Sequence, residues 1–260
     1  MRISSFPEQF HRMRIFLYLT ALLFGFGPAF ANETANHHKE AFHVYLLIGQ
    51  SNMAGRAPIS QEEAKPMKGI YLLNAADAWE PASNPLNRYS TIRKGLGMQK
   101  LNPGYSFAQE MLAPSTGNRI GLVVNAKGGT KIEQWAKGTH FYQEAVRRAL
   151  EAKKTGTLKG ILWHQGESNN GNPQGYAEKL AQLVEDLRQD LGDQALPFVA
   201  GQIIGPNEIN DEISRLPELS PNTAVASSKD LKTMDRGHFD ARSMKELGQR
   251  YAAAMKELQK

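Results

Sequence analysis

The sequence predicts an α/β protein in which a parallel sheet carries helices on both faces. Three observations lead there. Short, continuous apolar runs at 43–48, 119–125 and 158–163 read as strands buried on both sides. Amphipathic helical patterns separate them, and this alternation is the mark of crossover-connected parallel strands. Each run also passes directly into a polar or glycine-bearing loop, and in a parallel sheet such loops gather at one edge.

Taken in order, the chain of 260 residues opens with Arg2, Arg12 and Arg14, an apolar run at 15–26 and the end Gly27-Pro28-Ala29-Phe30-Ala31. A basic leader, an apolar middle and an Ala-x-Ala end are the parts of a secretory signal peptide, expected to span 1–31 with Met13 as an alternative start. The run is too short to favour a membrane span. Residues 32–260 are then expected to form one exported domain, periplasmic or secreted, without stable membrane association after cleavage. The formal charge of +5 falls by two when the leader is removed, and no dense basic block interleaves with aromatics, so nucleic acid is not an expected partner. Cysteine is absent, which excludes disulfides, thiolate chemistry and thiolate metal sites.

Residues 32–40 read as a frayed lead-in to the strand at 43–48. Ile70-Tyr71-Leu72-Leu73 is a second short strand, and 105–112 is helical. Residues 77–104, rich in Asn, Pro and Gly, form a long irregular segment expected to lie over a crevice. A helix is expected at 140–153 with Phe141, Ala145, Ala149 and Ala152 along one side. Another is expected from an Asn172-Pro173 start, with Tyr176, Leu180, Leu183, Val184, Leu187 and Leu191 as its apolar face. Strands follow at 197–204 and 223–226. Asp240 caps a last helix whose inner face is Met244, Leu247, Tyr251, Met255 and Leu258.

The strand ends hold the chemistry. Ser51 follows the first run, Gly128-Gly129 the run at 119–125, and Gln165-Gly166-Glu167 the run at 158–163; Asp235-Arg236-Gly237-His238 precedes the last helix. Serine-based acyl transfer needs a hydroxyl, a base, a carboxylate to orient the base, and N–H donors for the oxyanion. An Asp-x-x-His pair is common on surfaces, Gly-Gly is a common turn, and a serine at 51 also suits a helix cap. The three strand-end blocks at one sheet edge, together with the Asp-x-x-His pair on the loop before the last helix, point to a hydrolytic site. Candidate oxyanion donors are the Ser51 N–H, a glycine N–H at 128 or 129, and the Gln165 amide. His164 is the rival base. His164-x-x-Glu167 lacks a third ligand at helical spacing, so no metal or cofactor is expected.

Gly49-Gln50-Ser51-Asn52-Met53-Ala54-Gly55, Lys127-Gly128-Gly129-Thr130, Trp163-His164-Gln165-Gly166-Glu167-Ser168 and Asp235-x-x-His238-Phe239 resemble, in order and relative position, blocks of the SGNH hydrolase superfamily. More narrowly, they resemble its carbohydrate esterase family six and sialate O-acetylesterase branch, across residues 44–255. The resemblance implies a flavodoxin-like, three-layer α/β/α fold and hydrolysis of acetyl esters on carbohydrate such as xylan or sialic acid. Carried over, Ser51 is the nucleophile, His238 the base and Asp235 its orienting acid, with Ser51, Gly129 and Gln165 forming the oxyanion hole. Gln165 stands where the superfamily's name-giving pattern has Asn, and Ser168-Asn169-Asn170 lacks an expected acid. Glu167 is the alternative orienting acid. Asn52, Trp79 and Arg88 are assigned to substrate contacts, with Tyr89 and Trp135 as further aromatic candidates. The competing functions are a carbohydrate-binding protein without turnover and a lipase or thioesterase of the same fold. The latter would want an apolar acyl channel that the polar 77–104 segment does not offer.

Overall fold

The first apolar run, Phe42–Gly49 (β1), lies at the centre of a seven-stranded sheet in a computed structural model that describes residues 1, 39–93, 95–112 and 117–260. The expected signal peptide and the lead-in up to residue 38 fall, residue 1 apart, outside those residues. The other strands are Ile70–Leu73 (β2), Trp79–Pro81 (β3), Arg119–Ala126 (β4), Thr157–His164 (β5), Phe198–Gly201 (β6) and Thr223–Ala226 (β7), in the spatial order β3-β2-β4-β1-β5-β6-β7. All neighbours pair in parallel except β2 and β3.

Val44 to Ile48 are each 0% exposed because both faces of β1 are covered. Side chains alternate across a strand, so Val44, Leu46 and Ile48 join one core and Tyr45 and Leu47 the other. Burying such a side chain contributes about 1.5–3 kcal/mol, which makes β1 the natural spine. The first core is closed by the helices His140–Lys153 (α3) and Tyr176–Leu191 (α4). The second is closed by Gly104–Met111 (α2) and Ala241–Leu258 (α7). The result is the expected three-layer arrangement. Asp240 caps α7, its carboxylate accepting from Ser243 N at 2.8 Å.

Register positions the site. Gly49 pairs with Ala126 of β4 and with His164 of β5, so the loops after β1, β4 and β5 leave the sheet side by side.

The structure departs from the expectations in three places. The irregular segment contains an edge strand, β3, that runs antiparallel; three residues ending in Pro81 are too few to show a period, and a short, proline-ended strand suits a sheet edge. The helix α4 starts at Tyr176 and not at Asn172-Pro173, because Pro173 O takes the Tyr176 N–H in a turn and Gly175 at φ +73° breaks the helical path. Two short helices, Glu208–Ser214 (α5) and Leu216–Leu219 (α6), lie between β6 and β7, the first capped by Asn207 accepting from Asn210 N at 3.0 Å.

Candidate active site

Ser51 owes its place to Gly49. That residue sits at φ +133°, and a Cβ on it would lie 2.2 Å from the His164 carbonyl oxygen, so only glycine permits the chain to turn there. Gln50 N donates to the same carbonyl at 2.7 Å, and a single helical turn, Ser51–Ala54 (α1), follows. Ser51 thereby faces a crevice of about 920 Å³ that it shares with Gly128, Gly129, Glu167 and His238. Among the described residues, the N–H groups of Ser51 and Gly129 donate to no protein acceptor.

Asp235 and His238 form a local clamp. His238 Nδ1 lies 2.9 Å from Asp235 Oδ2, while Asp235 Oδ1 accepts the backbone N–H groups of Gly237 at 2.8 Å and His238 at 2.9 Å. A carboxylate can only accept, so Nδ1 carries the proton in this pair and Nε2 is left as the basic nitrogen. The hydrogen bond from His238, and then that from Gly237 N–H, hold the Asp235 carboxyl below the usual aspartate range. Ser51 and His238 line one crevice without a hydrogen bond between them, a looseness common before substrate closes a site.

Gln165 occupies a different position from the one expected. It is 0% exposed and does not line the crevice. Its Nε2 lies 2.9 Å from Thr130 O, 2.9 Å from Asn169 Oδ1 and 3.1 Å from Gln50 Oε1, while Tyr176 OH lies 2.7 Å from Gln165 O and 2.9 Å from Gln165 Oε1. The Thr130 carbonyl fixes this orientation, since a flipped amide would set oxygen against oxygen. Both amide protons are therefore spent on tying the β5 loop to the loops after β1 and β4, which leaves none for an oxyanion.

Three further assignments also move. Asn52 is 0% exposed and its amide bonds to Glu167, Gly237 and Phe239, so it faces the protein rather than a ligand. Trp79 packs edge-on against Phe42 with ring centroids 4.8 Å apart and donates from Nε1 to Thr155 Oγ1, outside the crevice. Arg88 is turned toward Glu80, at 2.6 Å, and toward the carbonyls of Ser83 and Pro85. Tyr89 also donates to Glu80, and Trp135 is wholly buried against Trp163. Aromatic and arginine side chains look alike in a sequence whether they bind a ligand or each other.

The irregular segment does border the crevice, through Thr91, Ile92, Arg93 and Met98. Arg56, only 7% exposed, is the other unanticipated wall. Its Nη1 donates to Gly55 O at 2.7 Å and Met98 O at 3.0 Å, whereas its Nε is buried without a partner. A Cβ on Gly128 would come within 2.6 Å of Arg56 Nη2, so the glycine lets the guanidinium pass under the loop toward Ser51. Burial, and then the like charge of Arg93, push Arg56 down to about 10. Lys127 completes the basic wall, its Nζ 4.9 Å above the Phe141 ring. The signal for Arg56 was its position directly after the serine turn. Among the described residues, no group of three or more His, Cys, Asp or Glu could hold a metal, and no helix is long and apolar enough to cross a membrane.

With this geometry in hand, similarity to known proteins is informative. Residues 41–257 match the family described as carbohydrate esterase, sialic acid-specific acetylesterase. A probable carbohydrate esterase of Arabidopsis thaliana is 33% identical over 176 residues, which span 60% of this chain and 66% of that protein, just under two thirds of its length. The crystal structure of an Arabidopsis thaliana protein superposes with a TM-score of 0.74 at 29% identity, covering 83% of this chain and 98% of the other. A carbohydrate acetylesterase from Xanthomonas citri shares the fold, with a TM-score of 0.61 at 22% identity over 83% of this chain and 56% of that one. The match over 41–257 spans the sheet, the serine turn and the Asp235–His238 clamp, and the chain belongs to the sialic acid-specific acetylesterase family of carbohydrate esterases.

Proposed function

We propose that the chain is an exported serine esterase that removes O-acetyl groups from a carbohydrate, with Ser51, His238 and Asp235 as its triad. The observation that carries this reading is the Asp235–His238 clamp opening onto the same crevice as Ser51. His238 Nε2 takes the Ser51 proton as Oγ attacks the acetyl carbonyl carbon. The resulting oxyanion is met by the N–H groups of Ser51 and Gly129, and Asp235 stabilises the imidazolium. The proton then passes to the sugar oxygen as the C–O bond breaks. Water, deprotonated by the same nitrogen, attacks the acetyl-serine, and acetate and the free hydroxyl of Ser51 are released.

The charge of the walls supports an acidic sugar. Arg56, Arg93 and Lys127 face Glu167 as the only carboxylate among the lining residues. Of the other buried arginines among the described residues, Arg148 pairs with Asp77 at 3.0 Å, and Arg188 bonds to Leu196 O, Ser220 Oγ, Pro221 O and Asn222 O. A carboxylate-bearing glycan such as an O-acetylated sialic acid fits this imbalance better than neutral xylan. Export rests on the three-part leader at 1–31.

The test is acetate release by residues 32–260 from O-acetylated sialic acid and acetylated xylan, alongside hydrolysis of 4-nitrophenyl acetate and octanoate. Acetate release and preference for the short ester, both abolished in a folded Ser51→Ala variant, are expected. Preference for octanoate would make the chain a lipase or thioesterase. Absence of turnover with tight glycan binding would make it a binding protein.

A further inference from the structure

Asn52 and Glu167 are polar residues at the site that the mechanism leaves unused, and they bond to each other. Asn52 follows Ser51 on α1 and spends its whole amide on other elements. Its Nδ2 donates to Glu167 Oε1 at 2.8 Å and to Gly237 O at 3.0 Å, and its Oδ1 accepts from Phe239 N at 3.3 Å. It thus grips the residues on either side of His238. A flipped amide would turn its oxygen toward two acceptors, so the orientation is determined.

Glu167 is held from behind. His164 is 0% exposed, and its Nδ1 lies 3.0 Å from Tyr251 OH. Tyr251 has one hydroxyl proton and donates it to Trp163 O at 2.6 Å, so the proton in the contact with His164 belongs to Nδ1. The buried Nε2 then faces Glu167 Oε1 at 3.7 Å and has no other partner, and Glu167 Oε2 has none either. His238 Nδ1 is already engaged by Asp235, and among the described residues the Glu167 side chain is tied to the histidine loop through Asn52.

We propose that Asn52 and Glu167 form a positioning bridge that holds the His238 loop in register with the Ser51 turn, Glu167 anchoring the Asn52 amide and not serving as the orienting acid. A direct consequence is that the shape and acceptor of the 167 side chain matter more than its charge. In Glu167→Gln the Oε1 still accepts from Asn52 and still faces His164 Nε2. In Glu167→Ala both contacts vanish.

The role rests on the esterase reading, so the test pairs turnover with a signal that does not need it. Asn52→Ala, Glu167→Ala, Glu167→Gln and the Asn52→Ala/Glu167→Ala double variant are assayed for kcat and KM on 4-nitrophenyl acetate. The downfield Nδ1 proton of His238 is followed by NMR in each. Both single alanine variants should lose roughly 10–100-fold in kcat, as expected for an ångström-scale misplacement, with KM within about threefold. The double variant should lose no more than the worse single one. Glu167→Gln should stay within about threefold of wild type and keep the His238 signal, which should broaden in Asn52→Ala. If Asn52→Ala does not fold, Asn52→Asp keeps the volume, sets a carboxylate against Glu167, and gives the same readouts. The proposal is overturned if Glu167→Gln is as damaged as Glu167→Ala, if the single losses multiply, or if kcat per folded molecule is unchanged. A wild-type chain without turnover, whose His238 signal still responds to Asn52→Ala, would instead overturn the esterase reading alone.

Discussion

Replacing Gln165 by alanine sets the sequence's expectation directly against the structure. The amide meets Thr130 O, Asn169 Oδ1 and Gln50 Oε1, all in buried surroundings. Removing it strips Thr130 O of that partner, while Asn169 Oδ1 keeps Ile132 N at 3.0 Å and Gln50 Oε1 keeps Ser168 N at 3.4 Å. One acceptor is left fully orphaned and two are weakened, and a buried orphan costs about 1–3 kcal/mol. The sum is about 2–4 kcal/mol, with the vacated volume adding to it. A domain of this size loses about 2–4 °C of Tm per kcal/mol, so thermal unfolding should move down by about 4–16 °C. In the fraction that remains folded, kcat on 4-nitrophenyl acetate should fall by less than about tenfold, through loosening of the loop that carries Gly129. An oxyanion donor behaves in the opposite way, costing about 10²–10³ in kcat at little expense in stability. A variant with wild-type Tm and a hundredfold loss of kcat would refute the assignment and return Gln165 to the oxyanion hole.

Other consequences can be measured alongside. Asp235→Asn should lower kcat by about 10⁴ by removing the acceptor that holds Nδ1–H; a loss of under tenfold would disqualify the clamp as the triad's acid. For Glu167, burial alone would raise the carboxyl, but the nearby His164, the local backbone and the Asn52 amide together hold it below the usual glutamate range. It therefore adds stability above about pH 4 that disappears as pH falls through the lowered value, and the stability gap between wild type and Glu167→Gln, measured by urea unfolding, should be smaller at pH 3 than at pH 7. A gap that widens in acid reverses the sign and the reasoning. Arg93→Ala should raise KM for an acetylated acidic sugar at least several-fold more than for an acetylated neutral one, with the difference fading at high salt; equal effects would remove charge recognition from the crevice.

What the sequence by itself determined is everything built from neighbours along the chain. The buried runs of β1, β4 and β5, the apolar faces of α3, α4 and α7, and the Asp240 cap all depend on contacts within a turn or on a repeating period. The Asp235–His238 clamp belongs here too, because three residues of separation let the loop satisfy itself. So does the placement of Ser51 directly beyond Gly49, where the turn follows from what a glycine alone can do. Tertiary structure decided how the remaining polar side chains are shared. Gln165 and Thr130 are 35 residues apart, Asn52 and Gly237 are 185 apart, and nothing periodic connects them. A buried amide has only two protons to give, and which acceptors take them depends on how three loops come together at the sheet edge. The same packing turned Trp79 and Arg88 away from the crevice and brought Arg56 and Arg93 into it. Residue type names what a side chain can donate or accept; only the closed fold places the partner.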